Sequence, residues 1–294
     1  MRAKTVLITG GTGGIGKQTA RGLAAKGATT LVVGRDLDRA EAAATELRAD
    51  TENPEVYALT ADVSRPSELR RLAESVAGKV DRLDVLINNA AANPPRRMLT
   101  ADGIETTFAT NVLAPFVLGH ELLPLLDGGG RIVNLTGGIP ARRIEADNLQ
   151  AERSFSGFTF SQYNHTKLAV MAMSLEFSGR VADRQVSVNV AYPGHASTPG
   201  NRRLPMSAFP VLYRPAAPLL RLLGPMLMGT TAAARASRSS VFLASSTEVA
   251  EVTGAYYDRH CRRVDWLAGA VGQSTRDAVW RLCERLSRHH DRAG

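Results

Sequence analysis

The sequence predicts one α/β domain with a doubly wound parallel sheet. Short buried runs rich in β-branched residues alternate with longer Ala-, Leu- and Arg-rich segments of helical periodicity, and no long linker interrupts the 294 residues. Repeated strand–helix units of this kind place helices on both faces of a parallel sheet through right-handed crossovers. A chain of this length buries a large core without disulfide or metal staples.

The individual elements follow from these apolar patterns and their caps. Buried strands are predicted at Lys4–Thr9, Thr29–Val33, Val56–Thr60, Leu83–Asn88, Arg131–Leu135, Val186–Ala191 and Val252–Tyr256. Helices are predicted at Ile15–Lys26, Leu37–Ala49, Pro66–Lys79, about Asp102–Leu126, Ser161–Val181, Ala232–Ser245 and, with a serine cap, Ser274–His289.

The composition argues against a polyanionic partner or a metal. The net charge is +8, but the 36 basic residues are mostly arginines in scattered pairs and only 5% of residues are aromatic, so no nucleic-acid surface is expected. The two cysteines, Cys261 and Cys283, belong to no Cys-x-x-Cys pattern, which argues against a disulfide framework and a structural zinc.

No targeting or membrane-spanning segment is expected. A strand-like run begins by residue 5, which leaves no room for a signal peptide. The most apolar region, Leu204–Gly229, is interrupted by arginines and prolines and is too broken to span a bilayer. We therefore expect a cytoplasmic protein.

A glycine motif follows the first predicted strand and opens the first predicted helix. Its residues are Gly10, Thr12, Gly13, Gly14, Ile15 and Gly16. Glycines let backbone N–H groups approach a pyrophosphate, and the positive end of the helix favours the same anion. Such a turn can also merely close a loop, but its place between strand and helix favours dinucleotide binding.

The second predicted strand ends in Gly34-Arg35. A carboxylate there would hold the ribose 2′-hydroxyl of NAD, whereas a guanidinium suits a 2′-phosphate. NADP(H) is therefore favoured over NAD(H). In the alternative interpretation Asp36 caps a helix and Arg35 is simply solvated.

Tyr163 and Lys167 are four residues apart on a predicted helix and thus neighbours on one face. A nearby cation favours the ionised phenol, so the pair predicts a tyrosine that acts as a general acid or base. The alternative is a surface pair without function. The chain has only five lysines, which favours a specific role for this one.

Together these elements resemble the short-chain dehydrogenase/reductase family over essentially the whole chain. The matching motifs, in the family's order, are residues 10–16, Asp62-Val63, Asn88-Asn89-Ala90, Asn111, Tyr163 with Lys167, and Pro193-Gly194 with Thr198. Three segments, Val252–Tyr257, Asp277–Ser287 and Asn148-Leu149-Gln150, resemble the retinol-dehydrogenase-like and WW-domain-oxidoreductase-like branch. The resemblance implies a Rossmann fold and a nicotinamide cofactor.

The resemblance also implies residue roles. Tyr163 would give a proton to a carbonyl oxygen or take one from an alcohol, while hydride passes to or from the nicotinamide. Lys167 would bind the nicotinamide ribose and stabilise the tyrosinate. Asn111 would hold a water of a proton relay, or alternatively mend a helix kink near Pro115. Further cofactor contacts would be Asp62 and Val63 to the adenine, Asn89 and Ala90 to the adenosine ribose, and Pro193, Gly194 and Thr198 to the carboxamide and pyrophosphate.

Two positions depart from the family pattern. Ala91 replaces a glycine, which is a small packing change. Gly137 aligns with the serine that hydrogen-bonds the reacting oxygen, and losing such a donor typically lowers turnover roughly 10²–10³-fold. Thr136 is a candidate substitute, although strand alternation would point it to the other face. Otherwise a substrate group supplies the bond, or the chemistry is altered.

A hydrophobic substrate lid is expected at about residues 199–230, and its Leu, Met, Phe and Pro content predicts a bulky lipophilic substrate. Alternatively this segment caps the core or docks on a membrane surface. The predicted function is an NADP(H)-dependent oxidoreductase acting on a carbonyl or alcohol, a ketoreductase rather than a dehydrogenase. The competing hypothesis is an NADP(H)-binding protein with little redox turnover, such as a sensor or a dehydratase. A homo-oligomer is compatible with the sequence.

Overall fold

The computed structural model describes residues 1–137, 143–154, 159–194 and 230–288. Eight strands form one sheet in the order β3-β2-β1-β4-β5-β6-β7-β8. They are β1 Thr5–Thr9, β2 Thr29–Gly34, β3 Val56–Thr60, β4 Val85–Asn88, β5 Arg131–Leu135, β6 Ser187–Ala191, β7 Ala255–Tyr257 and β8 Arg263–Val264. All neighbouring pairs are parallel except β7 with β8. The order runs outward in both directions from β1 and β4, which confirms the doubly wound parallel fold.

Most helices agree with the predicted segments apart from their ends, but the helix predicted at Ala232–Ser245 is two helices and the short helix Ala268–Val271 was not predicted. They are α1 Gly14–Ala24, α2 Leu37–Thr51, α3 Pro66–Ala77, α4 Thr106–Phe108, α5 Ala114–Glu121, α6 Leu123–Leu126, α7 Thr159–Arg180, α8 Thr230–Ala236, α9 Arg238–Ser245, α10 Ala268–Val271 and α11 Gln273–Arg288. None of the helices in these described ranges is long and apolar enough to cross a bilayer.

Two predicted elements have wrong bounds, and one strand was not predicted. The single helix expected at about Asp102–Leu126 starts later and includes a π-helical turn at Ala109–Leu113, just before Pro115. The strand expected at Val252–Tyr256 starts at Ala255 because Gly254, at φ +65°, turns the chain there. The short antiparallel β8 was not predicted, since two exposed residues carry no apolar pattern.

Two apolar cores flank the sheet. One lies between the sheet and α1, α2 and α9, and the other lies under α3, α5, α7 and α11. The predicted lid at about 199–230 falls outside the described residues except for Thr230, with which α8 begins.

The C-terminal helix α11 packs along α7 through an aromatic cluster. Trp280 lies 4.9 Å from Phe116 and 5.7 Å from Phe177, measured between ring centroids, and His120 lies between these rings. The Arg180 guanidinium stacks 4.3 Å from the Trp280 ring. Helix α7 is therefore held by the sheet on one side and by α11 on the other.

Candidate active site

The glycine turn between β1 and α1 is tightly packed at Gly16 and has space beside Gly13. Gly10 has φ +65°, and a Cβ on Gly16 would lie 2.3 Å from both the Gly10 carbonyl oxygen and Asn89 Nδ2. A Cβ on Gly13, in contrast, would meet no atom of the described residues within 4 Å. In the described part of the chain no side chain caps the first turn of α1, so its first N–H groups are available to an anion. This cradle fits a dinucleotide pyrophosphate.

A brace from β4 holds the glycine turn. Thr9 Oγ1 accepts hydrogen bonds of 3.1 Å from the backbone N–H groups of both Asn89 and Ala90. Asn89 Nδ2 donates to the carbonyl oxygens of Thr9 and Gly10, at 2.9 and 3.2 Å. The side-chain amide of Asn89 thus shapes the cradle, and a ribose contact for it stays a prediction. Thr9, which was not predicted, is part of this site.

The end of β2 leaves little room for a side chain at position 34. A Cβ on Gly34 would lie 2.5 Å from Thr12 Cγ2, so a side chain there requires Thr12 to move. Asp36 caps α2 by accepting a 2.8 Å hydrogen bond from the Arg39 backbone N–H. The exposed Arg35 guanidinium makes no hydrogen bond or ion pair with another residue in the described parts of the chain. Asp36 therefore caps α2 while the neighbouring Arg35 guanidinium remains available to a phosphate.

Asp62 and Val63 lie beside this end of β2. The Ala61 N–H donates to the Gly34 carbonyl oxygen at 2.9 Å, which places the residues after β3 next to Arg35. Val63 is buried, and Asp62 Oδ1 accepts hydrogen bonds from the Ser64 N–H and hydroxyl. The turn is therefore rigid at the position expected for the adenine.

Tyr163 and Lys167 lie near each other on α7, with Lys167 Nζ 5.7 Å from the Tyr163 ring centroid. Nζ donates a 2.9 Å hydrogen bond to the Leu135 carbonyl oxygen at the end of β5. Burial raises the pKa of Tyr163 to about 12, with a smaller contribution from Tyr192. Burial also lowers the pKa of Lys167 to about 8.

The prediction that the lysine lowers the pKa of Tyr163 was wrong for these protein groups alone. Lys167, with a pKa of about 8, has lost its charge before the Tyr163 phenol ionises, so burial of the phenolate decides the pKa of the tyrosine. The tyrosine is consequently protonated at neutral pH, which suits a proton donor more than a base.

We expect the buried lysine to make stability rise with pH. Because the folded-state pKa of Lys167 is about 8 and the unfolded value lies near 10.4, the unfolded chain binds more protons between these values. From pH 7 to 10, urea unfolding should show the free energy of unfolding of wild type increasing relative to that of Lys167→Met, by at most roughly 3 kcal/mol. Lys26→Met, an exposed lysine, is the control. A constant gap would contradict the shifted pKa.

Asn111 lies in the π-helical turn and is almost fully buried. Its Oδ1 accepts from the Ala92 N–H at 2.8 Å, and its Nδ2 donates to the Ala92 carbonyl oxygen at 3.2 Å and to Thr166 Oγ1 at 3.0 Å. The side chain therefore ties the loop after β4 to α7, beside Lys167. Its role in a water relay stays a prediction.

The end of β5 shows which groups Gly137 and Thr136 face. A Cβ on Gly137 would lie 3.4 Å from the Tyr163 hydroxyl oxygen, so this is the place from which a serine would reach the tyrosine. Thr136 Oγ1 instead donates a 2.9 Å hydrogen bond to the Lys167 carbonyl oxygen. That bond commits its proton to the α7 backbone. The assignment of Thr136 as the substitute donor is therefore corrected to a role in holding α7.

A small cavity opens beside Tyr163 at the carboxyl end of the strands. Its lining residues are Thr136, Gly137, Asn164, Lys167, Leu168, Met171, Tyr192, Tyr256 and Leu267. Tyr192 and Tyr256 were not predicted, because a tyrosine at a strand end is indistinguishable in sequence from a core residue. Pro193 and Gly194 follow β6 at the same edge, and a Cβ on Gly194 would lie 3.1 Å from Arg259 Cδ. Thr198 lies outside the described residues.

A buried polar network positions the segment 143–154 beside α7. Glu105, fully buried, caps α4 and accepts a 3.0 Å hydrogen bond from Gln162 Nε2. Gln162 also donates to the Leu149 carbonyl oxygen at 3.0 Å, and Gln150 Oε1 accepts from the Glu105 N–H. The network therefore fixes the stretch Asn148-Leu149-Gln150 beside Gln162, which lies less than two helical turns from Lys167 on α7.

Comparison with known proteins identifies the family. A family model described as short chain dehydrogenase matches residues 4–146. Retinol dehydrogenase 13 of Mus musculus is 34% identical over 261 residues, which cover 87% of this chain and 75% of that protein. The chain belongs to the short-chain dehydrogenase/reductase family. Within it the predicted retinol-dehydrogenase-like branch is confirmed, and the short-chain dehydrogenase/reductase described here is an NAD(P)-dependent oxidoreductase.

Solved structures agree with this assignment. A putative uncharacterized protein from Mycobacterium paratuberculosis superposes with a TM-score of 0.75 at 26% identity, covering 98% of this chain and 94% of the other. A blue fluorescent protein from a metagenomic library, solved in complex with NADPH, gives a TM-score of 0.64 at 26% identity, with 90% and 98% covered. The short-chain dehydrogenase/reductase fold therefore extends over nearly the whole chain.

Proposed function

We propose that this protein is an NADP(H)-dependent ketoreductase that acts on a carbonyl group of a bulky lipophilic molecule. The observation that carries the proposal is the protonated Tyr163, which lies beside Lys167 and next to a cavity at the carboxyl edge of the sheet. A neutral phenol at this place is the proton donor that reduction of a carbonyl group requires. The same residues support the reverse reaction when an alcohol is in excess.

Each residue of the site has its own role in the proposed reaction. When bound, NADPH supplies the hydride, and the glycine turn and α1 hold its pyrophosphate. Tyr163 donates its proton to the carbonyl oxygen, and Lys167 holds the nicotinamide ribose while its charge stabilises the resulting phenolate. Asn111 keeps the loop after β4 against α7 and, in the proposed relay, positions a water.

NADP(H) is favoured by the end of β2, where Gly34 has no carboxylate and the Arg35 guanidinium is exposed. Arg35→Ala is expected to raise KM for NADPH about 10- to 100-fold and to leave KM for NADH nearly unchanged, because charge-assisted hydrogen bonds to the 2′-phosphate are lost. Arg71→Ala, which removes an exposed arginine from α3, is the matched control. A lower KM for NADH than for NADPH in wild type would contradict this preference.

A lipophilic substrate is supported by the relatives and by the apolar composition of the predicted lid. Relatives at 31–34% identity are retinol dehydrogenases, whose name denotes a lipophilic alcohol. The apolar lid, the homo-oligomer and the cytoplasmic location stay predictions of the sequence.

The test is NADPH oxidation with a panel of bulky aldehydes and ketones, followed at 340 nm, together with direct measurement of NADPH binding. Turnover of at least one lipophilic carbonyl supports the proposal. NADPH binding without turnover of any carbonyl would favour the second candidate, a dinucleotide-binding protein with little redox activity. Gly137 is the observation that favours this second candidate, because it removes a hydroxyl from the immediate neighbourhood of Tyr163.

A further inference from the structure

The space left by Gly137 adjoins a second phenol, that of Tyr192. Both residues line the cavity that contains Lys167. We propose that the Tyr192 hydroxyl donates the second hydrogen bond to the reacting oxygen, in place of the serine that the family pattern has at position 137. This inference rests on the proposed function and adds a catalytic residue to it.

The pairing of β5 with β6 brings the two positions together. Leu135 is paired with Ala191, and the Thr136 N–H donates to the Ala191 carbonyl oxygen at 3.0 Å. Gly137 and Tyr192 therefore follow the ends of adjacent parallel strands, whose lateral spacing is about 4.8 Å. The Tyr192 backbone is fixed on its other side, where its N–H donates to the Tyr257 carbonyl oxygen at 2.8 Å.

Strand alternation directs Tyr192 toward α7. Val188 and Val190 pack in the core under α7, and Tyr192 packs against the same core, whereas Ala191 faces the opposite core. The ring is half-buried and lines the cavity together with residues of α7. A negative charge on Tyr192 would raise the pKa of both Tyr163 and Tyr256, which agrees with phenol oxygens that share one space.

The proposed step leaves Tyr192 unchanged. Hydride adds to the carbonyl carbon, the electron pair of the C=O π bond moves to oxygen, and the Tyr163 proton is transferred to that oxygen. Tyr192 keeps its proton and only donates a hydrogen bond to the oxygen as its negative charge develops. Burial raises the pKa of Tyr192, so the group remains a donor at neutral pH.

The experiment is a double-mutant cycle between Tyr192→Phe and Gly137→Ser on the full chain. Tyr192→Phe alone should lower kcat about 10²-fold for any carbonyl that wild type reduces, with the Kd for NADPH unchanged. In the Gly137→Ser background the same change should cost only a few-fold, because the serine supplies the bond. Tyr257→Phe removes a hydroxyl from the neighbouring strand on the opposite face of the sheet and is the control.

Two further variants keep the test decisive if Gly137→Ser does not fold. Tyr192→His retains a ring N–H donor and should recover part of the activity that Tyr192→Phe loses, whereas Tyr192→Leu should not. An equal loss in both backgrounds, an unchanged kcat in Tyr192→Phe, or no recovery with histidine would overturn the inference while leaving the proposed function intact. Absence of any carbonyl turnover in wild type would overturn both.

Discussion

Tyr163→Phe is expected to lower NADPH-dependent carbonyl reduction by about 10³-fold or more and to leave NADPH binding within error of wild type. The phenol is the group placed to protonate the developing alkoxide, and positioned general acids contribute about 10²–10⁴-fold. Phenylalanine preserves the ring beside Lys167 while removing the proton. The measurement is kcat with the best carbonyl of the panel, combined with fluorescence titration of NADPH.

The matched control for this variant is Tyr257→Phe, which removes one hydroxyl from a buried tyrosine on the other side of the sheet. Its kcat should equal that of wild type. Retention of wild-type kcat by Tyr163→Phe would show that the proton comes from elsewhere. The assignment of the proton donor would then be wrong, even if the cofactor assignment held.

Gly16→Ala is expected to abolish measurable NADPH binding and to destabilise the fold. The added Cβ would lie 2.3 Å from the Gly10 carbonyl oxygen, which is backbone and cannot rotate away. Relieving the clash must open the glycine turn or push α1 from the sheet, and overpacking of this kind costs about 1–3 kcal/mol. Urea unfolding gives the stability change, and NADPH titration gives the loss of binding.

Gly13→Ala in the same turn is the control for stability. Its Cβ would have no neighbour within 4 Å among the residues that the structure describes, and its backbone is extended, at φ −169°. It should therefore unfold at the same urea concentration as wild type, while a weaker affinity for NADPH would show that the open side of the turn faces the cofactor. Equal stability of Gly16→Ala and Gly13→Ala would contradict the close packing of the turn.

The fold could be predicted almost completely because its signals are local. Each central strand is a short apolar run, and α1, α2 and α3 each carry one apolar face, so period and order suffice. The errors occur where tertiary contacts decide. Pro115 indicates a kink in its helix, but not that it takes the form of a π turn at Ala109–Leu113, since the Asn111 bonds to Ala92 and Thr166 bridge distant segments.

The site was predicted only as a set of positions. The sequence indicates that Gly137 lacks a hydroxyl, but only the structure shows that its Cβ would face the Tyr163 oxygen. The fate of the Thr136 proton and the balance between burial and charge at Tyr163 likewise depend on distances and desolvation. Tyr192 enters the site through the β5–β6 register, which connects residues far apart in the chain.

The aromatic cluster around Trp280 makes the tail of the protein an outer wall for the helix that bears Tyr163 and Lys167. Helix α11 is therefore a structural support of α7, so a change in α11 also affects the position of Tyr163 and Lys167. Removing α11 would take away the Trp280 contacts to α5 and α7 and loosen the support of the reactive pair. Engineering of this protein is better directed at the opposite, β3 edge of the sheet.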